Sequence, residues 1–283
     1  MSAENIDLGY DGRRGVLGAW LAHGVLIDCG PSSCLQALLD GLDARQPRAL
    51  LLTHVHLDHA GAAGALTARW PQLPVYLHPV GAPHLIDPSR LMSSARRVFG
   101  ERLEPLLGEV LAVPAENVHE LADGEQVEGF ISAWTPGHAS HHVAFLDPRE
   151  GLAYTGDVAG VRLAGGVVLP PTPPPDIDLR RWESSLELLE RWQPRALALA
   201  HFGCVESPRE HIPLLREALA RHERWAAAGV EEFAAALHEH LRARVPADEV
   251  EDYEFIAMAR QSPLGLRRWL ERERAAAAAA RPE

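Results

Sequence analysis

Apolar and polar positions change their rhythm several times along the chain. Residues 15–30 read Gly-Val-Leu-Gly-Ala-Trp-Leu, then His23-Gly24, then Val-Leu-Ile-Asp, which predicts a hairpin turning at His23-Gly24. Asp28, Gly30 and Pro31 close its second strand, and a helix is expected over about 33–43. The apolar run Ala49–Thr53 predicts a short buried strand that delivers into His-Val-His-Leu-Asp-His. A helix over about 60–69 and a strand at Val75–Leu77 follow. Strand-helix-strand order this early argues for a layered α/β fold.

From about 80 to 116 the spacing turns helical, punctuated by Pro83, Pro88, Pro105 and Pro114. Strand patterns return at Val118–Leu121, Phe130–Trp134, Val143–Leu146 and Leu152–Thr155, with Asp123-Gly124 as a turn signal. Pro170 to Pro175 is too rich in proline for a helix or central strand and predicts an extended surface loop. Asp176 or Asp178 then caps a helix to about Arg191, with Leu179, Trp182, Leu186, Leu189 and Trp192 on helical spacing. Ala196–Ala200 is a buried strand ending at His201, and beyond about 207 the chain reads as helices broken near Gly229, Pro246 and Pro263. Ala275–Ala280 is expected to be a frayed helix end or disordered. Two regions result: a mixed sandwich over 1–205 and a helical region over 206–283 packed on it.

Composition narrows the function classes. The 283 residues are 47% apolar and 23% charged, ordinary for a globular protein. The net charge is −12 and every basic side chain is arginine, so phosphate backbones are repelled on average and nucleic acid is not an expected partner. No apolar run approaches the roughly 18 residues of a membrane span. The start carries no basic flank and apolar core of a signal peptide, so the cytoplasm is the expected compartment. Monomer and homodimer both stay open. Cys29, Cys34 and Cys204 form neither a disulfide framework nor a paired metal motif, and are expected to be reduced core thiols.

The histidines are more informative. In His54-Val55-His56-Leu57-Asp58-His59, alternate residues of an extended segment point the same way, so His54 and His56 can converge on one metal ion. Where the chain turns into the next helix, Asp58 and His59 can reach a neighbouring position. Imidazole and carboxylate suit Zn²⁺, with Fe or Mn as other possible occupants.

This segment resembles the His-x-His-x-Asp-His signature of the metallo-β-lactamase superfamily. The resemblance implies a four-layer αββα sandwich, an α/β (α+β) fold with metal at the edge between its sheets, and it extends over roughly 15–205. Thr135-Pro136-Gly137-His138 resembles the family's next motif and implies His138 as the third ligand of the first metal. Tyr154-Thr155-Gly156-Asp157 resembles the strand whose final aspartate bridges both metals, and His201 in Ala-His-Phe-Gly resembles the last ligand. The implied centre holds two divalent metal ions: His54, His56 and His138 on one, Asp58, His59 and His201 on the other, Asp157 shared. A hydroxide between the ions would attack the substrate, with Asp58 orienting it as the catalytic side chain. His142 has the offset of a further family histidine; it and His141 can either support the centre or serve the start of the next strand.

A small-molecule ester, thioester or lactone is the expected substrate, with a phosphodiester or an iron-dependent persulfide dioxygenation as alternatives within the superfamily. The chain resembles glyoxalase II-like thioesterases in its ligand motifs, but the glutathione-binding motif has no match in the helical C-terminus. The insertion at 80–116 is expected to cap the site: Met92 and Phe99, seven residues apart, would share an apolar helix face, and His84 would contact substrate. The alternative for Met92 and Phe99 is that they only anchor the insertion to the sandwich.

Overall fold

A computed structural model describes residues 3–279. The first of two six-stranded sheets contains β1 (Glu4–Asp7), β2 (Gly18–Ala22), β3 (Val25–Ile27), β4 (Ala49–Leu51), β5 (Val75–Leu77) and β6 (Val118–Glu120), in that spatial order. It is antiparallel from β1 to β3 and parallel from β3 to β6. The second contains β7 (Gln126–Val127), β8 (Phe130–Trp134), β9 (Val143–Asp147), β10 (Leu152–Gly156), β11 (Ala196–Leu199) and β12 (Gly203–Val205), again as spatial neighbours in sequence order. Only β10 and β11 pair in parallel in this sheet.

Period-two alternation builds the layers. Trp20, Val25, Ile27, Leu51, Phe145 and Tyr154 point between the sheets and form one buried cluster. Their neighbours Leu21, Leu26, Leu50, Ala144 and Ala153 point to the outer faces and join a second cluster under the helices. Both faces being covered, these strands read as nearly continuous apolar runs. On the outer faces lie α1 (Leu35–Leu42), α2 (Leu57–Ala60), α3 (Ala63–Arg69), the inserted α4 (Ala82–Ile86), α5 (Ser89–Phe99) and α6 (Leu103–Leu107), then α7 (Leu179–Trp192). The Asp178 carboxylate accepts from the backbone N–H groups of Arg180 and Arg181, so Asp178 rather than Asp176 caps α7. Four layers in the order helix, sheet, sheet, helix result.

Four helices follow β12: α8 (Pro208–Ala228), α9 (Val230–Arg242), α10 (Val250–Ile256) and α11 (Ser262–Ala279). Phe233, Leu237, Tyr253 and Leu266 belong to the same buried cluster as Leu38 and Leu66, so these helices share the core of the sandwich. Arg13, between β1 and β2, pairs with Glu251 (2.7 Å) and Asp252 and lies over the Phe255 ring (5.0 Å), fastening α10 to the N-terminal segment. Ser262 at the start of α11 accepts from the Thr172 N–H (3.2 Å) in the proline-rich stretch.

Several expectations need correction. The strands β1, β7 and β12 are additional to those predicted. The helix expected over 60–69 begins at Ala63, after the separate turn of α2. The prolines at 170–175 are extended, but Pro170 and Pro171 are buried rather than on the surface, because α11 and the sandwich cover them. Cys29 and Cys34 are buried as expected, whereas Cys204 is exposed, on the outermost strand of its sheet. α11 continues through Ala275 to Ala279; Ala280 lies outside the described residues. Among the described residues no helix is long and apolar enough to cross a membrane.

Candidate metal centre

The ends of β4, β8, β10 and β11 converge at one edge of the sandwich. The chain leaving β4 carries His54 and His56 in extended backbone, and α2 starts at Leu57, which turns Asp58 and His59 toward a second position. His138 follows β8, Asp157 directly follows β10, and His201 follows β11. Gly156 makes the approach of Asp157 possible: its φ is +45°, and a Cβ there would lie 2.5 Å from Thr53 Oγ1.

His54, His56 and His138 form one group of converging donor atoms, and Asp58, His59 and His201 form another. In the first, His56 Nδ1 lies 2.9 Å from both His54 Nε2 and His138 Nε2. In the second, Asp58 Oδ2 lies 3.7 Å from His59 Nε2 and 3.6 Å from His201 Nε2. Asp157 stands between them. Its Oδ2 is 3.3 Å from His138 Nε2, while its Oδ1 is 3.2 Å from His59 Nε2 and 3.4 Å from His201 Nε2.

Hydrogen bonds behind the rings set which nitrogen faces the centre. A carbonyl can only accept, so His138 Nδ1–H donates to Pro171 (2.8 Å) and His201 Nδ1–H donates to Val16 (2.9 Å). Each leaves a bare Nε2 facing inward. His59 Nδ1–H likewise donates to Asp28 Oδ2 (2.9 Å), and Asp28 also accepts from the Thr53 N–H (2.8 Å) and hydroxyl. His142 Nε2 accepts from the Asp157 N–H (3.2 Å), so its Nδ1 carries the proton and donates to Thr135 Oγ1 (2.8 Å). His142 therefore steadies the backbone of Asp157. His141 faces the adjoining cavity instead.

Electrostatics agree with this division. Burial, reinforced by His138, holds His56 down at about 4. Burial and the neighbouring imidazoles depress His54 as well, and burial outweighs Asp157 in depressing His138. These rings are neutral at neutral pH, the form that ligates metal. Burial would raise Asp157, but His59, His201 and His138 outweigh it and hold its carboxyl well below the usual range. Burial would depress His59, but Asp157, Asp58 and Asp28 outweigh it and raise it; these carboxylates draw positive charge to this position, which a bound cation would supply in place of a proton on Nε2. His59 Nε2 and Asp157 Oδ1 are both sealed from solvent without a hydrogen-bond partner. Two facing orphan atoms in a buried pocket of carboxylates are what a cation would satisfy, and the residues fit one.

A cavity of about 340 Å³ opens over the centre, where His56, Asp58, His138, Asp157 and His201 reach it. His84 and Phe99, expected from the sequence to face substrate, line it. Met92 does not; it packs against the core cluster. On α5 the cavity side is Leu91, Ala95 and Phe99, spaced by four, and Met92 lies at the margin of that face, about 20° around the helix from Phe99 and two turns before it. Phe99 packs against the same cluster and also lines the cavity, so the two residues differ in reaching the cavity and not in anchoring the insertion. Sequence reading missed Tyr10, Phe255, Ile256 and Met258, which line the cavity from both ends of the chain. It also passed over Asp28, although a carboxylate closing an apolar strand was the available signal.

The superfamily's sequence profile, described as the metallo-beta-lactamase superfamily, matches residues 22–201, and the chain belongs to that superfamily. The metallo-beta-lactamase fold-containing protein ST1585 of Sulfurisphaera tokodaii is 30% identical over 208 residues, covering 70% of this chain and 76% of that protein. Its structure superposes with a TM-score of 0.71 at 24% identity over 95% of this chain and 98% of that one. TTHA1623, whose structure is described in a di-iron-bound form, gives a TM-score of 0.51 at 28% identity, covering 75% of this chain and 90% of that one. The hydroxyacylglutathione hydrolase of Legionella pneumophila is 27% identical over 114 residues, which span 39% of this chain and 33% of that enzyme.

Proposed function

We propose that the protein is a metal-dependent hydrolase of small carboxylic esters, thioesters or lactones. His54, His56 and His138 would hold one divalent ion, Asp58, His59 and His201 a second, and Asp157 both. The observation that carries this reading is the division of Asp157: one carboxylate oxygen faces His138, the other faces His59 and His201. The imidazole and carboxylate donors suit zinc, with iron or manganese as alternatives. Bound divalent ions supply Lewis acidity, lowering the pKa of water and polarising an acyl oxygen.

The remaining work falls to the chain. Asp58 is the most exposed carboxylate of the centre and reaches the cavity, so it accepts a hydrogen bond from the attacking water and orients it. Pro171, Val16 and Asp28 hold the rings so that no reorganisation is needed during turnover. Leu91, Phe99, Phe255 and Ile256 make much of the cavity wall apolar, which favours an acyl compound over a phosphodiester. The relative named hydroxyacylglutathione hydrolase supports the thioester member of this class over the part that aligns.

Elemental analysis of metal-replete protein, followed by a panel of esters, thioesters, lactones and phosphodiesters, tests the reading. Two ions per chain and turnover of an acyl substrate are expected. Asp58→Ala should lower kcat by about 100-fold or more while the melting temperature changes little. One iron per chain with oxygen consumed on a persulfide would replace hydrolysis by the dioxygenase alternative.

A further inference from the structure

His141 is the one cavity-lining histidine near the centre that belongs to neither donor group nor the hydrogen bonds behind them. It is 9% exposed, with its ring centroid 5.9 Å from that of His56. Nδ1 is sealed from solvent without a partner, and Nε2 makes no hydrogen bond among the described residues. A buried imidazole nitrogen without a partner is costly, and the ring's other nitrogen, open to the cavity with no protein partner among the described residues, points to a ligand atom. His84 and Asp176 line the same cavity; Asp176 accepts a hydrogen bond from Ser140 (2.6 Å). The chain thus places a polar subsite beside the metal centre, separate from its donor groups.

We propose that His141 is a substrate-positioning residue whose Nε2–H donates a hydrogen bond to an acceptor oxygen of the bound acyl compound. With the proton on Nε2, the sealed Nδ1 position holds only a lone pair, and the N–H lies on the side a ligand can reach. Its place next to His56 brings that donor near the reacting acyl group. A substrate oxygen held there is fixed relative to the centre before reaction, while the apolar walls take the hydrocarbon part. The inference rests on the cavity being the acyl site of the proposed hydrolase.

The test compares wild type, His141→Leu and His141→Gln, all metal-loaded, since the Gln amide places an N–H near the Nε2 position. With p-nitrophenyl butyrate and a butyryl thioester, kcat/KM should fall about tenfold in the Leu variant and recover to within about threefold in the Gln variant. Metal content and melting temperature should match wild type in both. Loss of an ion in His141→Leu would make His141 a ligand and overturn the proposal, as would equal kinetics in all three proteins. A Gln variant as impaired as the Leu one would show that ring shape matters and not the donor. If wild type turns over no member of the panel, the hydrolase reading fails, and butyrate binding by calorimetry tests His141 separately. The same ranking of the three proteins is expected there, and equal affinities would overturn the role.

Discussion

Asp28 illustrates how much of the centre depends on a side chain that never reaches the cavity. Its carboxylate orients His59 and fastens Thr53, whose hydroxyl in turn lies 3.1 Å from His54 Nδ1. Replacing Asp28 with Asn substitutes two donors for an acceptor and unsettles the tautomer of His59. Metal affinity should fall about 10- to 100-fold, measured by competition with a chromogenic chelator, with a melting temperature of the metal-free protein that stays close to wild type. An unchanged affinity would separate His59 from the second ion. Gly156→Ala acts through sterics, because its Cβ would collide with Thr53 and His142. Its metal content should drop even though no ligand is altered. The histidine-rich segment at 54–59 was legible because its residue types are rare after a buried apolar strand, and His138, Asp157, His201 and the offset of His142 were legible through the family resemblance; Asp28 and Gly156 matter through partners distant in sequence, and one chain read in order does not display those.

At the scale of elements, the tip of the hairpin of β2 and β3 is tied to the far sheet by a half-buried pair, and Trp20 Nε1–H donates to Leu199 of β11 (2.9 Å) farther along. His23 turns the hairpin at φ +51°, and its Nε2 lies 2.7 Å from Asp147 Oδ2 at the end of β9. Burial raises the Asp147 carboxyl, but His23 and Arg149 outweigh it and leave it below its ordinary value. A carboxyl depressed on folding contributes stability that is full above its unfolded pKa of about 4 and lost as pH falls through the lower folded value. Asp147→Asn should therefore cost about 1–3 kcal/mol near neutrality, with the two proteins converging in acid, as read from urea midpoints. His222 behaves differently. It is fully buried between α8 and α9 with both nitrogens unpartnered, and burial, with Arg221 and His240, holds it at about 3. The unfolded chain takes a proton there below about 6.5 and the folded chain does not, so stability falls with acidity by up to about 1.4 kcal/mol per pH unit. His222→Phe should flatten that slope between pH 6 and 4. Long periodic elements such as α7 were readable from spacing, whereas β7, two residues long, has no period to read. Spacing put Met92 and Phe99 on one face of α5 but does not say how far along the helix the cavity reaches, and it reaches Phe99 and not Met92.

For the whole molecule, the proposed metal centre would link metal binding to the fold. Ligands drawn from four strand ends gather opposed imidazoles and carboxylates that only a cation reconciles, so chelation should lower the melting temperature. At free metal about 1,000 times the dissociation constant, the linkage is about 4 kcal/mol; equal melting curves with and without a chelator would show that the centre does not bind metal. The helices after Val205 belong to this cooperative unit, since Phe233, Tyr253 and Leu266 lie in the shared core. A chain ended at Val205 should not give a sharp melting transition. Most strands of the sandwich were readable from the alternation of their residues and its layers from the family resemblance, but the strand order and the joining of the two chain ends were not, because Arg13 and Asp252 are 239 residues apart and nothing local announces their pairing.

The lining of the cavity has a consequence for descent. Every proposed metal ligand stands on or just after a strand of the sandwich, or in the short α2, whereas much of the apolar wall comes from α5, the proline-rich stretch and α10. Pro171 apart, whose carbonyl holds His138, the side chains that these segments turn to the cavity hold no proposed ligand in place. Changes at Leu91, Phe99 or Ile256 would then alter what fits while leaving the chemistry of the donor groups untouched. Such a division would let duplicated copies of one gene come to accept different compounds while keeping the proposed metal centre.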